Sequence, residues 1–172
     1  HLAALGYSAP RIEAEDATAG LVLLEDLGDS TYTRVLDAGT DPVTLYGAAI
    51  DLLADLRHHA APADLPPYDE AVYLTEADLL IDWFLPAITG QDTPEPIRQT
   101  YHAAWRAVLD RANVGPPVLV LRDYHADNLM WLPDRADHAR VGLLDFQDAL
   151  AGSPAYDVVS LLEDVRRDVD PD

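Results

Sequence analysis

Two apolar runs that each deliver an aspartate constrain this chain more than any other feature. Val118–Leu121 leads to Asp123, and Val141–Leu144 leads directly to Asp145. Asn128 lies five residues beyond the first aspartate, and a third short apolar run, Leu129–Leu132, follows it. The pattern reads as strand, polar loop, strand, turn, strand. Such a layout holds Asp123, Asn128 and Asp145 at neighbouring strand ends, where their side chains can converge.

Two carboxylates that meet at one point repel, and one takes up a proton unless a cation neutralises them. Carboxylate plus amide oxygen is a hard, all-oxygen set that suits magnesium rather than zinc. With Asn128 and Asp145 on the metal, Asp123 stays free to orient a hydroxyl and accept its proton. An oriented nucleophile beside a cation over phosphate oxygens is what phosphoryl transfer requires. The bland alternative is a polar turn between strands, where Asp and Asn are common.

Asp123-x-x-x-x-Asn128 resembles the kinase catalytic loop, and Asp145-Phe146-Gln147 resembles the metal-binding Asp-Phe-Gly. The flanking residues are similar to the aminoglycoside phosphotransferase branch, which usually shows His-Gly-Asp-x-His-x-x-Asn. Here Leu121-Arg122-Asp123-Tyr124-His125-Ala126-Asp127-Asn128 keeps the Asp, the second His and the Asn, while Leu121 replaces the first His. Within that branch the wording most resembles the anomeric kinases of N-acetylmuramate and N-acetylglucosamine. The matching segments are Leu24-Glu25-Asp26-Leu27-Gly28-Asp29, the loop itself, and Leu144-Asp145-Phe146-Gln147-Asp148-Ala149 leading to Gly152 and Tyr156-Asp157. The resemblance implies Asp123 as base, Asn128 and Asp145 as Mg2+ ligands, and ATP as phosphoryl donor. It also implies a hinge at Glu25, Asp26 and Leu27 whose backbone groups meet the adenine edge. Without that resemblance, an ordinary strand exit with Gly28 as a turn residue fits these positions equally.

The eleven basic residues are all arginine, and the formal charge is −20. Such a surface repels nucleic acid and anionic lipid, so neither is an expected partner. Without cysteine, disulfides, thiol catalysis and cysteine-ligated zinc are excluded. No apolar run reaches membrane-spanning length, and no signal-peptide pattern is present, which points to a cytoplasmic protein. Apolar content of 49% argues for a packed core. The missing lysine matters in another way: kinases of the resembling type use a strand lysine and a glycine-rich segment on the nucleotide phosphates. Neither is here. The chain is therefore expected to begin inside the small lobe, with His1–Leu5 the end of a helix and Gly6 its stop, and to break off at Pro171-Asp172. Such a fragment is expected to be inactive alone; a shortened natural protein that has lost catalysis is the alternative.

Along the chain, Gly20–Leu24 reads as an edge strand, and Asp29-Ser30-Thr31 as the cap of a short helix through Leu36. Asp41-Pro42 starts a helix with Leu45, Tyr46, Ala49, Leu53 and Leu56 on its buried face. His58 and His59 read as its terminal residues, and Ala60–Pro67 as a proline-rich connection. Thr75-Glu76-Ala77-Asp78 resembles a capping box before Leu79, Leu80, Trp83 and Phe84, with Pro86 ending or bending that helix. The segment is similar to the Glu-x-x-Leu…Trp-(Phe/Tyr)-Leu stretch of the anomeric sugar kinases, a resemblance that implies Trp83 at the border of a sugar, although an aromatic at this spacing is more often core. Thr93-Pro94 opens another helix, with Ile97, Tyr101, Ala104, Trp105 and Val108 on one face and Arg98, Arg106 and Arg111 solvated. Asn113-Val114-Gly115-Pro116-Pro117 stops it. Ala151-Gly152-Ser153-Pro154 reads as a turn and helix start, followed by a buried stripe of Val158, Leu161, Leu162 and Val165. Asp157, in that helix's first turn, either complements the helix dipole or, as the resemblance implies, accepts the backbone N–H groups of the catalytic loop.

The expected fold is α+β and protein-kinase-like. Residues 1–28 would be the end of the N-terminal lobe and hinge, and residues 29–172 a mainly helical C-terminal lobe with small catalytic strands. The expected activity is ATP-dependent transfer to a sugar hydroxyl, with a small-molecule sugar as partner and His125 either touching that sugar or bracing its own loop. An aminoglycoside antibiotic phosphotransferase and a non-catalytic nucleotide or sugar binder are the alternatives. A metal-dependent hydrolase is a third, because Asp123-x-His125-x-Asp127-Asn128 alternates plausible ligands. Oligomeric state is not legible in the chain.

Overall fold

The computed structural model describes residues 1–112 and 115–168. The stop expected at Asn113-Val114 and the chain end at Pro171-Asp172 lie outside them. After a 3-10 turn, Ala3–Leu5, closed by Gly6 at φ 93°, the chain forms an antiparallel hairpin, β1 (Ile12–Asp16) with β2 (Leu21–Leu24). Helix α1 (Tyr32–Asp37) follows, then α2 (Pro42–Leu56), α3 (Glu70–Leu79), a π-helical stretch Leu80–Phe84, α4 (Leu85–Thr89) and α5 (Glu95–Ala112). Four short strands come next, β3 (Val118–Val120), β4 (Leu129–Trp131), β5 (Val141–Leu143) and β6 (Leu150–Gly152), and then α6 (Tyr156–Leu162). The mixture is α+β, as expected.

Local chemistry sets the helix starts. Thr31 caps α1 by accepting the Arg34 N–H, and Asp41 caps α2 by accepting those of Val43 and Thr44, with Pro42 in the first turn. Helix α2 carries Leu45, Ala49, Leu52 and Leu56 into the main core, where they meet Leu121, Tyr124, Leu129, Val141, Leu143 and Leu161. Burying each such Leu contributes roughly 1.5–3 kcal/mol. The core thus lies directly under the strand ends that carry the aspartates. Leu52, rather than the expected Leu53, is fully enclosed; Leu53 is half-buried.

The strands pair as two hairpin-like ladders, β4 with β5 and β3 with β6, both antiparallel. Ala151 and Gly152 are therefore strand residues, not the expected turn, because Leu150–Gly152 finds its partner in Val118–Val120. Gly142 in β5 has no room for a side chain: a Cβ there would lie 2.7 Å from the Met130 Cβ and 3.1 Å from the Leu27 Cδ1. Gly142→Ala is expected to destabilise the protein by roughly 1–3 kcal/mol through overpacking, read by chemical denaturation. An unchanged midpoint would mean that the two strands separate freely.

The helical segments depart from expectation in four places. Helix α3 starts at Glu70 and is capped by Asp69; Thr75 lies mid-helix, its hydroxyl donating to the Ala71 carbonyl, so the capping box at Thr75 is not used. Pro86 does not end the helix. The stretch before it widens to π geometry, with the Leu85 N–H on the Leu80 carbonyl, and the Ile81 carbonyl that proline cannot serve accepts the Thr93 hydroxyl instead. In α5 the packed face is Arg98, Tyr101, His102, Trp105 and Leu109, while Ile97, Ala104 and Val108 are exposed. Carboxylates on the neighbouring segment turn it that way: Arg98 pairs with Asp82 and His102 Nε2 lies 2.7 Å from Asp78, while the Tyr101 hydroxyl donates to the Ala77 carbonyl. In α6 only Asp157 and Leu161 are fully buried; Leu162 is exposed and Val165 lies beyond the helix end.

Candidate active site

The polar loop after β3 is built around Asp157. Its carboxylate is buried and accepts the Leu121 N–H at 2.7 Å and the Arg122 N–H at 2.9 Å. Burial pushes its pKa up to about 6 against those two lowering hydrogen bonds, with the nearby Asp123 charge adding to the rise. Arg122 takes a left-handed backbone, φ 69°, which costs a non-glycine residue on the order of 1–3 kcal/mol. The aminoglycoside-branch pattern has glycine at this position. The buried Tyr124 then anchors the loop by donating its hydroxyl to the Ala49 carbonyl of α2 at 2.8 Å.

The structure brings the Asn128 side chain between the Asp123 backbone and the Asp145 carboxylate. The Asn128 Nδ2 donates to the Asp123 carbonyl at 3.1 Å, lies 3.3 Å from His125 Nε2, and reaches the Asp145 carboxylate at 3.4 Å. Because the Asp123 carbonyl only accepts, the amide nitrogen must face it, and the Asn128 Oδ1 accepts no hydrogen bond among the described residues. The Asp123 carboxylate accepts no hydrogen bond among the described residues. Asp145, at φ 57°, is also left-handed, and Gln147 Nε2 holds its Oδ1 at 2.7 Å. One amide and one carboxylate are suitable magnesium ligands, but they need phosphate and water oxygens to complete a shell. No three His, Cys, Asp or Glu side chains gather to hold a metal among the described residues. That counts against the hydrolase alternative: His125 is buried, and Asp127 is tied to Thr33 of α1 at 2.5 Å. An apolar cleft of about 720 Å³ opens beside Asp145, lined by Leu24, Leu119, Leu121 and Phe146 among others.

The model of the phosphotransferase enzyme family matches residues 1–172, the whole chain. The chain belongs to the phosphotransferase enzyme family. The N-acetylmuramate/N-acetylglucosamine kinase of Caulobacter vibrioides is 42% identical over 182 residues, covering 99% of this chain and 49% of that protein. The enzyme of the same name from Pseudomonas aeruginosa is 38% identical over 167 residues, 95% of this chain and 46% of that one. Among solved structures, an ADP-bound aminoglycoside phosphotransferase superposes with a TM-score of 0.59 at 20% identity, covering 94% of this chain and 55% of the other. The fold is protein-kinase-like. The chain spans about half the length of the curated relatives it matches.

The remaining expected site residues fall out unevenly. At the expected hinge, the Glu25 N–H donates to the Arg11 carbonyl and its carboxylate lies between Arg135, at 3.1 Å, and Arg11, at 3.6 Å. Asp26 accepts the Gly28 N–H in a tight turn. Among the described residues the Glu25 carbonyl and the Leu27 N–H enter no backbone hydrogen bond. Trp83 is corrected: it is 73% exposed on the π-helical stretch, not in the core, because the widened turn leaves Ile81 as the residue facing in. His125 is only 7% exposed, its Nε2 lies 3.3 Å from the Asn128 Nδ2, and its Nδ1 has no hydrogen-bond partner among the described residues. Sequence reasoning missed Gln147 as the holder of Asp145 and the pair Arg122–Glu76. The first was findable, since a side-chain amide two residues from an aspartate reaches it; the second spans 46 residues and was not.

Proposed function

We propose that the full-length protein is an ATP-dependent small-molecule kinase. It transfers the γ-phosphoryl group to the anomeric hydroxyl of N-acetylmuramate or N-acetylglucosamine, giving the sugar 1-phosphate. The observation that carries this reading is the free Asp123 carboxylate one loop turn from the Asn128–Asp145 pair. Asp123 orients the sugar hydroxyl and takes its proton. The Asn128 Oδ1 and the Asp145 carboxylate would hold Mg2+, which would supply positive charge against the phosphate oxygens. The apolar cleft beside Asp145 takes the nucleotide, with the Glu25 carbonyl and Leu27 N–H free to meet the adenine edge and Asp26 shaping their turn. Residues 1–28 then form the end of the small lobe and hinge, and residues 29–172 the catalytic lobe. In support, every residue of β1 and β2 is exposed, which is the state of a sheet whose further strands lie elsewhere in the protein. The acceptor comes from the relatives, named N-acetylmuramate/N-acetylglucosamine kinases at 42% and 38% identity.

The test incubates the full-length protein, ATP and magnesium with each sugar and with kanamycin, and locates the phosphate by phosphorus NMR. A sugar 1-phosphate is expected. Transfer only to kanamycin, or to the sugar 6-hydroxyl, would overturn the acceptor assignment. Magnesium should bind weakly without ATP and strongly with it, since it relies on substrate phosphates. Titration calorimetry of Asp145→Ala is expected to show loss of magnesium-dependent ATP binding, whereas equal magnesium affinity with and without ATP in the wild type would remove Asn128 and Asp145 from this role.

A further inference from the structure

Beneath the loop lies a polar cluster that the proposed chemistry does not use. Glu76 of α3 is its hub: it accepts the Tyr68 hydroxyl at 2.6 Å and the Tyr156 hydroxyl at 3.5 Å, and it pairs with the Arg122 guanidinium. Tyr68 stacks on Tyr73 with ring centres 4.0 Å apart, and Arg122 lies 5.8 Å over the Tyr68 ring. Three further polar groups of Arg122 are engaged elsewhere, while its buried Nε finds no hydrogen-bond partner among the described residues. Its N–H donates to Asp157, its carbonyl accepts the Ser160 hydroxyl at 3.1 Å, and its Nη1 donates to the Asp148 carbonyl at 3.3 Å. One residue therefore touches both segments that carry the site. Its backbone immediately precedes Asp123, and its side chain grips the turn three residues past Asp145.

We propose that Arg122, clamped by Glu76, is a positioning residue that sets the Asp123 loop and the Asp145 turn at a fixed distance from each other. The guanidinium suits this task because its planar fork can meet a carboxylate and a carbonyl at once, which a lysine ammonium cannot do with the same geometry. The left-handed backbone of Arg122 is consistent with such a clamp, since a non-glycine residue keeps that conformation only where its surroundings over-determine it. The role rests on the proposed phosphoryl transfer, because its consequence is the alignment of the base with the metal-bound phosphate.

The experiment uses the full-length protein with ATP, magnesium and N-acetylmuramate. Arg122→Gly suits the left-handed backbone and removes the whole side chain, guanidinium included. It is expected to lower kcat roughly 10- to 100-fold, as small misplacements of reacting groups do, with the KM for ATP and the melting temperature held. Arg122→Lys should recover part of the loss, and Glu76→Gln should reproduce it. The double variant Arg122→Gly/Glu76→Gln should be no slower than the worse single one, because the two residues act as a unit. Hydrogen exchange should quicken at the amides of residues 121–128 and 146–149 in Arg122→Gly and stay unchanged in α2. Wild-type kcat in Arg122→Gly, or strictly additive losses in the double variant, would overturn the clamp. So would a fall in kcat matched by equal falls in ATP affinity and melting temperature. A wild type inert toward every acceptor, with the exchange response still present, would sink the phosphotransfer reading and leave the clamp standing.

Discussion

Asp123→Asn in the full-length protein is expected to remove nearly all turnover while leaving the fold and nucleotide binding in place. The carboxylate is half-buried and accepts no hydrogen bond among the described residues, so asparagine replaces it without orphaning a donor. What holds the loop is the backbone of this residue rather than its side chain: the Asp123 N–H donates to the Leu121 carbonyl at 2.9 Å, and its own carbonyl receives the Asn128 amide. Those bonds survive the substitution. What is lost is a group able to accept the acceptor's proton, and removing a positioned base costs roughly 10²–10⁴-fold in rate. Steady-state kinetics with N-acetylmuramate, ATP affinity by calorimetry and a thermal melt together decide it. Unchanged turnover at an unchanged melting temperature would deny Asp123 the role of base.

Asp157→Ala is expected to have the largest effect on stability. The side chain is 3% exposed, and truncating it leaves the Leu121 and Arg122 N–H groups buried without an acceptor, at about 1–3 kcal/mol each. The left-handed Arg122 also loses the bond that holds it, so the loop carrying Asp123 should loosen before the rest of the core. Urea denaturation and hydrogen exchange at residues 121–123 measure the two parts; wild-type stability in Asp157→Ala would show that water replaces the carboxylate. A pH dependence follows with a definite sign. The folded pKa, about 6, lies above the ordinary 3.8, so the native state binds the extra proton between those values. The stability contributed by this proton is present below about pH 4 and is lost as pH rises through 6. The decline should vanish from the profile of Asp157→Asn, and its persistence there would assign it to another group.

The chain by itself determined whatever depends on neighbours in sequence. The five-residue spacing of Asp123 and Asn128 put one at each end of a tight loop, and the apolar run before Asp145 made a strand that ends at the same place. Thr31 and Asp41 were legible as caps because a capping side chain reaches only the next two or three N–H groups. The packed faces of α5 and α6 were not legible. Apolar spacing pointed to Ile97 and Val108, but Asp78 and Asp82 on a neighbouring helical segment draw Arg98 and His102 inward. The Asp157 bond to the loop likewise fixes how α6 is turned, and leaves Leu162 outside. Thr75 carried the local signature of a cap, yet the chain before it is already pinned, because Tyr68 packs against Gly152 of β6 and its N–H donates to Ala151. The strand character of Leu150–Gly152 and the grip of Glu76 on Arg122 join residues thirty or more apart. Only chain closure brings such pairs together, and no periodicity in the sequence records which partner each will meet.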